Sequence, residues 1–486
     1  MNFNKRNDFL CVIFIFFGLL YADISLVNHY NFRTSALDLG IYNNAIYDYA
    51  HFRMNNDPLP FQQVGNLLAD HFELLPMIFS PVYFIFGSYA LLLIQIASIL
   101  FGGYGIFLIF KNRFANPAIP GLAVIHFLTM WGIYSALASD YHNNVVGAMF
   151  VPWLFYYFDQ KKFKQAAFFL ILLTVSKENM ALWAGFICMG FFFLNFRDKD
   201  KRRFAIVSSM AVWIYFVAVI SWIMPALSQL KGQYFNSDFS ALGKNFGEVF
   251  FNIIKHPEKT FTLLFENNLN DPHSYGIKAE LHYVVLLSGG FALLAQPQYL
   301  LMLLPIFGQK LFNDDYLKWG INAQYSIEFA PILTIALFTW LANTFQGRKQ
   351  IYLALFLTVL GIASTANTFD WPVSPRYGGD RKQFYKRQHY VKEYPVQKMH
   401  EALKMIPVSA RVSAQTLLVP HLAFRKYIRL YPKIDDANYI ALVDCDDIYP
   451  MSKEEYKTKK EELLQSTQWQ KVYDDGGVLV LKKISE

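Results

Sequence analysis

Three short runs set carboxylates and imidazoles beside long apolar stretches: Asp38 in Ser35-Ala36-Leu37-Asp38-Leu39-Gly40, Asp70 and His71 in Asp70-His71-Phe72-Glu73, and Asp140 and His142 in Asp140-Tyr141-His142-Asn143. Ionisable groups next to a bilayer are costly to desolvate, which makes them functional candidates by default. A carboxylate at such a place can take the proton of an attacking hydroxyl. Two Asp/His pairs on one face can ligate a divalent metal, with Asp70, His71, Asp140 and His142 as the donors, or bind phosphate or sugar hydroxyls. Each run also has an ordinary reading. Aspartate is a good helix N-cap, which would account for Asp38, and the other residues would serve to end apolar helices.

Lys177-Glu178-Asn179 interrupts an apolar stretch at membrane depth. Either the two charges neutralise each other and join two short helices, or Lys177 meets an anionic phosphate while Glu178 orients another group. Gln324, Tyr325 and Glu328, and His282 farther upstream, add polar groups expected at the same depth. There is no nucleotide-binding glycine loop and no serine-nucleophile elbow, so a cytosolic nucleotide substrate has no support.

The elements that position these residues are membrane helices. Hydrophobic residues make up 54% of the 486 and charged ones 17%, against roughly 25% charged in an average soluble domain. The net charge of +7 comes from basic clusters between apolar runs. That is the positive-inside pattern of cytoplasmic loops rather than a nucleic-acid surface. The three cysteines show neither a disulfide framework nor zinc spacing. About eleven spans are expected from the length a bilayer requires: Phe9–Val27, Tyr89–Phe110, Pro117–Ala138, Asn144–Phe158, Gln165–Val175, Met180–Phe196, Phe204–Met224, Leu281–Leu294, Tyr299–Phe312, Ser326–Phe345 and Ile351–Thr365. The first is read as a retained helix, since no small-residue cleavage site follows it. An odd number of crossings from a cytoplasmic N-terminus leaves the tail outside.

Residues 1–368 are thus expected to form a transmembrane helix bundle with outer loops 28–88 and 225–280, and residues 369–486 a small extracytoplasmic α/β domain. In the first loop, Leu37–Phe52 has helical spacing and is expected to lie on the membrane surface. Leu74–Phe86, broken by Pro76 and Pro81, is expected to dip and return. In the tail, Arg411–Ala414, Tyr427–Leu430, Tyr439–Val443 and Val478–Leu481 read as strands and Ser452–Gln465 as a helix. Asp474-Asp475-Gly476-Gly477 reads as a hairpin turn.

In order and spacing, Asp38-Leu39-Gly40, His71-Phe72, Pro81-Val82-Tyr83, Gln95, Asp140-Tyr141-His142, Lys177-Glu178, Gln324-Tyr325, Val412-Ser413-Ala414 and Pro420-His421-Leu422-Ala423-Phe424-Arg425 resemble the predicted membrane proteins of domain of unknown function 2079. That family is grouped with the type C (GT-C) glycosyltransferases. The resemblance implies a GT-C-like bundle, a sugar donor carried on a polyprenyl phosphate in the cell membrane, and a catalytic acid in the first outer loop, where Asp38 stands. Many type C enzymes have two adjacent acidic residues there, whereas Leu39 follows Asp38, so Asp70 and Asp140 remain alternatives for the base. Lys177, Arg33 or His142 would stabilise the departing phosphate. A transporter or lipid flippase is the main alternative function, because buried charges and broken helices also suit substrate pathways. A non-catalytic scaffold or receptor is the other.

Overall fold

The computed structural model describes residues 3–56, 59, 65–229, 238–269, 271–375 and 381–484. Among the described residues, six helices are long and apolar enough to cross a membrane: Asp8–Tyr30, Leu75–Phe110, Lys199–Leu227, Pro272–Ala295, Gln324–Thr344 and Gly347–Asp370. Ile119–Leu128 and Trp131–Leu137, bent by 43°, make a seventh if counted as one span. The bend falls where Met130 takes extended backbone.

The remaining expected spans exist as helices but are too short to cross alone. They are Asn143–Ala148 with Val151–Asp159, Phe163–Thr174, Glu178–Leu194 and Pro297–Leu311. The count of about eleven full spans therefore overstates the crossings that length supports, since a spanning helix needs about 20 residues. Several of the short helices are sheathed by protein: every residue of Asn143–Ala148 is buried. Backbone at membrane depth tolerates such breaks only where other helices cover it.

The bundle has two chemically distinct ends. At one, Asp159 pairs with Arg113 at 2.5 Å and with Lys201 at 3.1 Å, and Lys161 pairs with Asp198 at 2.8 Å. The basic loops around residues 111–113, 161–164 and 197–203 thus share one surface. Asn143 and Glu178 begin the helices that run toward that surface, so they mark the opposite end.

At the opposite end the first loop does not lie on lipid. Its helix Ile41–Ala50 buries Ile41, Tyr42, Asn43, Asn44, Ala45, Ile46 and Tyr49. The amide of Asn43 donates to the Pro420 carbonyl (3.0 Å), and that of Asn44 to the carbonyls of Ala423 (3.0 Å) and Arg425 (3.1 Å). The expected membrane-surface helix is a floor for the tail, because its amphipathic spacing is satisfied by protein. Phe246–Lys255 shows the lipid-surface pattern instead, with Phe250, Phe251 and Ile254 exposed. Leu75–Phe79, the 3-10 turn Ser80–Val82 and Tyr83–Phe86 are successive helical pieces of the candidate span Leu75–Phe110, so the expected element that dips and returns is instead the start of a long helix.

The tail forms one sheet from β1 (Val412–Ala414), β2 (Ile428–Leu430), β3 (Tyr439–Val443), β4 (Trp469–Asp475) and β5 (Val478–Lys483), in the order β2-β1-β3-β5-β4. β1 pairs in parallel with β2 and β3, whereas β5 runs antiparallel to β3 and β4. Alternating side chains face opposite ways. Tyr439, Ala441, Val443, Val478 and Val480 join Phe32, Ala36, Ile41 and Ala45 of the first loop in one apolar cluster. Ile440, Leu442, Leu479 and Leu481 pack with Tyr456 and Leu463 of the helix Lys453–Gln465. The hairpin turn is Gly476-Gly477, with φ of 59° and 84°, and both aspartates belong to β4.

Candidate functional site

Five consecutive residues, Asp140 to Asn144, organise the site. Gln95, fully buried in the second long helix, clamps the backbone on both sides: its amide donates to the Asp140 carbonyl at 2.8 Å, and its Oε1 accepts from the His142 N–H at 2.9 Å. Asp140 itself takes a φ of 66°. Aspartate tolerates that left-handed conformation better than most residues. The result aims consecutive side chains at different partners.

Asp140 Oδ2 accepts from the Ser35 N–H at 2.9 Å, and its Oδ1 stands 3.8 Å from Arg381 Nη1. His142 Nε2 lies 3.2 Å from Asp38 Oδ1. Asp38 sits in a widened turn, Ala36–Gly40, closed by Gly40 N–H donating to the Ser35 carbonyl five residues back (3.0 Å). Wide turns of this type recur at functional sites. Gly40 is required because a Cβ there would come within 2.9 Å of Val419 in the tail. Asp38 caps no helix: no side-chain cap bond forms at this turn or at the helix after it.

The electrostatics differ between the two aspartates. Desolvation by surrounding protein pushes Asp38 up, but the hydrogen bond and charge of His142, together with Arg381, hold it below the usual carboxylate range. Its side chain is still 43% exposed, against 6% for His142. Asp140 is pushed up to about 6, chiefly by burial, with Arg381 opposing and Asp38 adding to the rise. An ionised Asp38 is an acceptor only, so His142 presents its proton on Nε2.

Asn143 and Asn144 extend the network. Asn143 donates to Glu73 Oε2 at 2.5 Å, and Glu73 Oε1 pairs with Lys177 at 3.3 Å. Glu178 accepts from His71 Nδ1 and from the Phe72 N–H, both at 3.0 Å. The Lys177-Glu178 dipeptide is therefore not self-neutralised: each charge reaches across to the first loop. Gly147 makes the approach feasible, since a Cβ there would collide with Ser176. Asn144 donates to the Gln324 carbonyl and to Glu328 Oε1, both at 3.2 Å.

One unbroken chain of contacts thus joins Asp38, Asp140, His142, His71, Lys177, Glu178 and Gln324. Asp70 ends the short helix Leu67–Asp70 beside His71, and Tyr325 follows Gln324. Arg33 turns elsewhere, toward Asn28 Oδ1 at 2.8 Å and the Gln388 carbonyl at 2.6 Å. His282 bonds the Leu264 carbonyl at 2.9 Å and stacks on Phe265. Glu73, Asn143 and Arg381 are additions to the expected set. Glu73 closes the Asp70-His71-Phe72-Glu73 run and was legible there, whereas Arg381 lies in a polar connector that carries no motif.

The expected metal ligands do not fit a metal. His71 turns to Glu178 and His142 to Asp38, so the sequence-adjacent Asp/His pairs are split. Among the described residues, no group of three or more His, Cys, Asp or Glu side chains is placed to hold an ion.

The family model of the predicted membrane proteins DUF2079 matches residues 28–480, from the loop bearing Asp38 to the last strand. The chain belongs to that family. Among solved structures, this DUF2079 protein is similar to ArnT from Cupriavidus metallidurans bound to undecaprenyl phosphate, with a TM-score of 0.52 and 11% identity over 98% of both chains. It also resembles the arabinofuranosyltransferase AftD from Mycobacteria, with a TM-score of 0.48 and 14% identity over 97% of this chain and 41% of that one. No curated protein matches the sequence. The likeness to ArnT establishes for this DUF2079 chain a GT-C-like fold, a multi-pass membrane bundle with a small C-terminal sheet domain.

Proposed function

We propose that this protein is a GT-C-type glycosyltransferase that moves a sugar from a polyprenyl-phosphate donor to an acceptor hydroxyl at the outer face of the cell membrane. The carrying observation is Asp38, a carboxylate in the first loop after the first membrane helix, accessible on one side and bonded to buried His142 on the other. The acceptor oxygen attacks the anomeric carbon while Asp38 takes its proton. The bond from that carbon to the phosphate oxygen breaks, and the phosphate leaves with the electron pair. General-base catalysis of this kind contributes about 10²–10⁴-fold.

The basic loops lie at the end of the bundle away from Asp38, and the positive-inside pattern assigns that end to the cytoplasm. The site and the tail, which packs on the Asp38 turn through Thr416 Oγ1 and the Ala36 N–H (3.2 Å), would then face outward. A donor whose prenyl chain stays in the bilayer presents its phosphate at that surface, and the ArnT structure holds a lipid of this class.

The test is incubation of the purified full-length protein in liposomes with polyprenyl phosphates carrying radiolabelled sugars and with a cell-envelope extract as the source of the acceptor hydroxyl. Loss of label from the lipid with release of free polyprenyl phosphate is the expected result. Movement of intact donor between leaflets without cleavage would replace the transferase by a flippase.

A further inference from the structure

Several cations stand near the site, and most are already committed. Arg33 is held by Asn28 and Gln388, and Lys177 by Glu73. Lys310 donates to the Gly320 carbonyl at 2.7 Å, and Lys382 to Asn322 Oδ1 at 2.7 Å. Arg381 differs. Among the described residues its guanidinium makes no hydrogen bond, and its ion-pair partner Asp140 stands 3.8 Å away, beyond bonding distance. The side chain is 17% exposed, so its donors are sheltered yet reachable. Its backbone is fixed, because Asn28 of the first membrane helix donates to the Arg381 carbonyl at 2.8 Å.

A second feature meets the same segment. An apolar groove of about 520 Å³ runs along the first and last membrane helices, lined by Val12, Phe16, Leu20, Ile362, Phe369 and Phe384. Val12 and Phe16 face outward from the bundle, while the Gln383 amide donates to the Phe369 carbonyl at 2.8 Å. The groove therefore starts at bilayer depth and takes Phe384, three residues along the chain from Arg381, into its lining. Guanidinium donors with no hydrogen bond among the described residues, on a segment whose Phe384 lines an apolar groove, suit a ligand with an anionic head and a long hydrocarbon chain.

We propose that Arg381 receives the phosphate of a lipid phosphate whose chain lies in this groove. The inference rests on the transferase reading and deepens it: the phosphate-binding residue comes from the segment after the last membrane helix, so the polar tail region completes the site. A guanidinium fork binds two phosphate oxygens at once. As the sugar–phosphate bond breaks, the departing phosphate gains negative charge, and Arg381 is positioned to offset it.

The experiment measures binding of undecaprenyl phosphate to the full-length protein in nanodiscs by native mass spectrometry, alongside inorganic phosphate and uncharged polyprenol. The wild type is expected to bind the lipid phosphate in preference to the other two. Arg381→Ala should weaken it by about 10–100-fold, the loss expected for charged hydrogen bonds, and Arg381→Lys should recover part of it. If Arg381→Ala unfolds, Arg381→Lys, which keeps the charge but not the fork, should still bind more weakly than wild type. The double variant Arg381→Ala/Asp140→Asn separates roles. It stays weak if Arg381 touches the phosphate, and wild-type affinity in it would show that Arg381 only neutralises Asp140, which overturns the proposal. Unchanged binding in Arg381→Ala, or equal binding of inorganic phosphate and the lipid, would also overturn it. Lipid binding that depends on Arg381, without sugar release in the liposome assay, would defeat the transferase reading while leaving the phosphate site standing.

Discussion

His142 and Asp38 meet at 3.2 Å although 104 residues separate them, and the imidazole is the buried member of the pair. The arrangement makes His142 a positioning residue for the carboxylate. It holds Oδ1 of Asp38, while Oδ2 accepts from Ser35 Oγ at 3.5 Å, and it favours the ionised form.

Replacing His142 should therefore change the pH profile as well as the rate. His142 and Arg381 hold Asp38 below its usual range. With His142→Phe that support is lost, Asp38 rises, and the acid limb of kcat/KM for sugar release should move to higher pH. A rate loss with an unmoved acid limb would assign His142 a purely structural role.

Asp140 makes the opposite prediction for stability. Its folded value of about 6 exceeds the ordinary carboxylate value, so the folded state holds the proton more tightly than the unfolded chain. The stabilisation is complete below about pH 4 and is lost as pH rises through about 6, amounting to roughly 3 kcal/mol at most. Asp140→Asn keeps an acceptor for the Ser35 N–H and removes the titration. Its thermal midpoint relative to wild type should rise between pH 4.5 and 7.5. A constant difference across that range would contradict the assignment.

The Glu73–Lys177 pair tests the cross-linking of the first loop to the bundle. Side-chain exposures of 4% and 15% place both charges away from water. Removing one partner of a buried pair costs about 3–5 kcal/mol, because the other charge is left alone. Lys177→Met should therefore destabilise strongly, and adding Glu73→Gln should restore most of the loss. Additive effects in the thermal midpoints would mean that the two groups do not interact.

How far these features were legible follows from the range of the signal. The strands of the tail fall within two residues of their expected limits, because the apolar runs are short and the Gly476-Gly477 turn needs positive φ. Asp38, Asp140, His142, Lys177 and Glu178 were legible as charges out of place beside apolar runs. Their partners were not. Neighbouring residues in Asp70-His71 and Lys177-Glu178 suggested local pairs, while the fold sends each side chain to a distant segment. The helix Ile41–Ala50 has the same amphipathy whether lipid or the tail covers it, so its periodicity could not tell the two apart. Arg381 carries no local motif, and only the fold of its connector brings it to Asp140.

Sidedness can be checked without any substrate. Single cysteines at Lys161 and Ser452, in a background lacking Cys11, Cys188 and Cys445, should differ in their reaction with an impermeant maleimide on whole cells. Ser452→Cys, which replaces the N-cap of the tail helix, should label from outside, and Lys161→Cys only after lysis. Labelling of both from the same side would remove the outward-facing site.

Asp38→Asn is the most direct test of the chemistry. The change is nearly isosteric, and no helix cap depends on Asp38, so stability should change little. An amide can still take part in a hydrogen bond with His142, which keeps the widened turn in place. It cannot accept a proton near neutral pH, and sugar release should fall by about 10²–10⁴-fold, the usual worth of a general base. Binding of undecaprenyl phosphate should persist, since that depends on Arg381 and the groove. Asp48→Asn is the control on the next helix: Asp48 accepts from Arg53 at 2.9 Å and from Asn55 at 2.9 Å, bonds that tie the first loop to itself. It should leave turnover nearly unchanged. If Asp38→Asn transfers sugar at the wild-type rate, Asp38 is not the base, and Asp140 and Asp70 are the carboxylates to replace next.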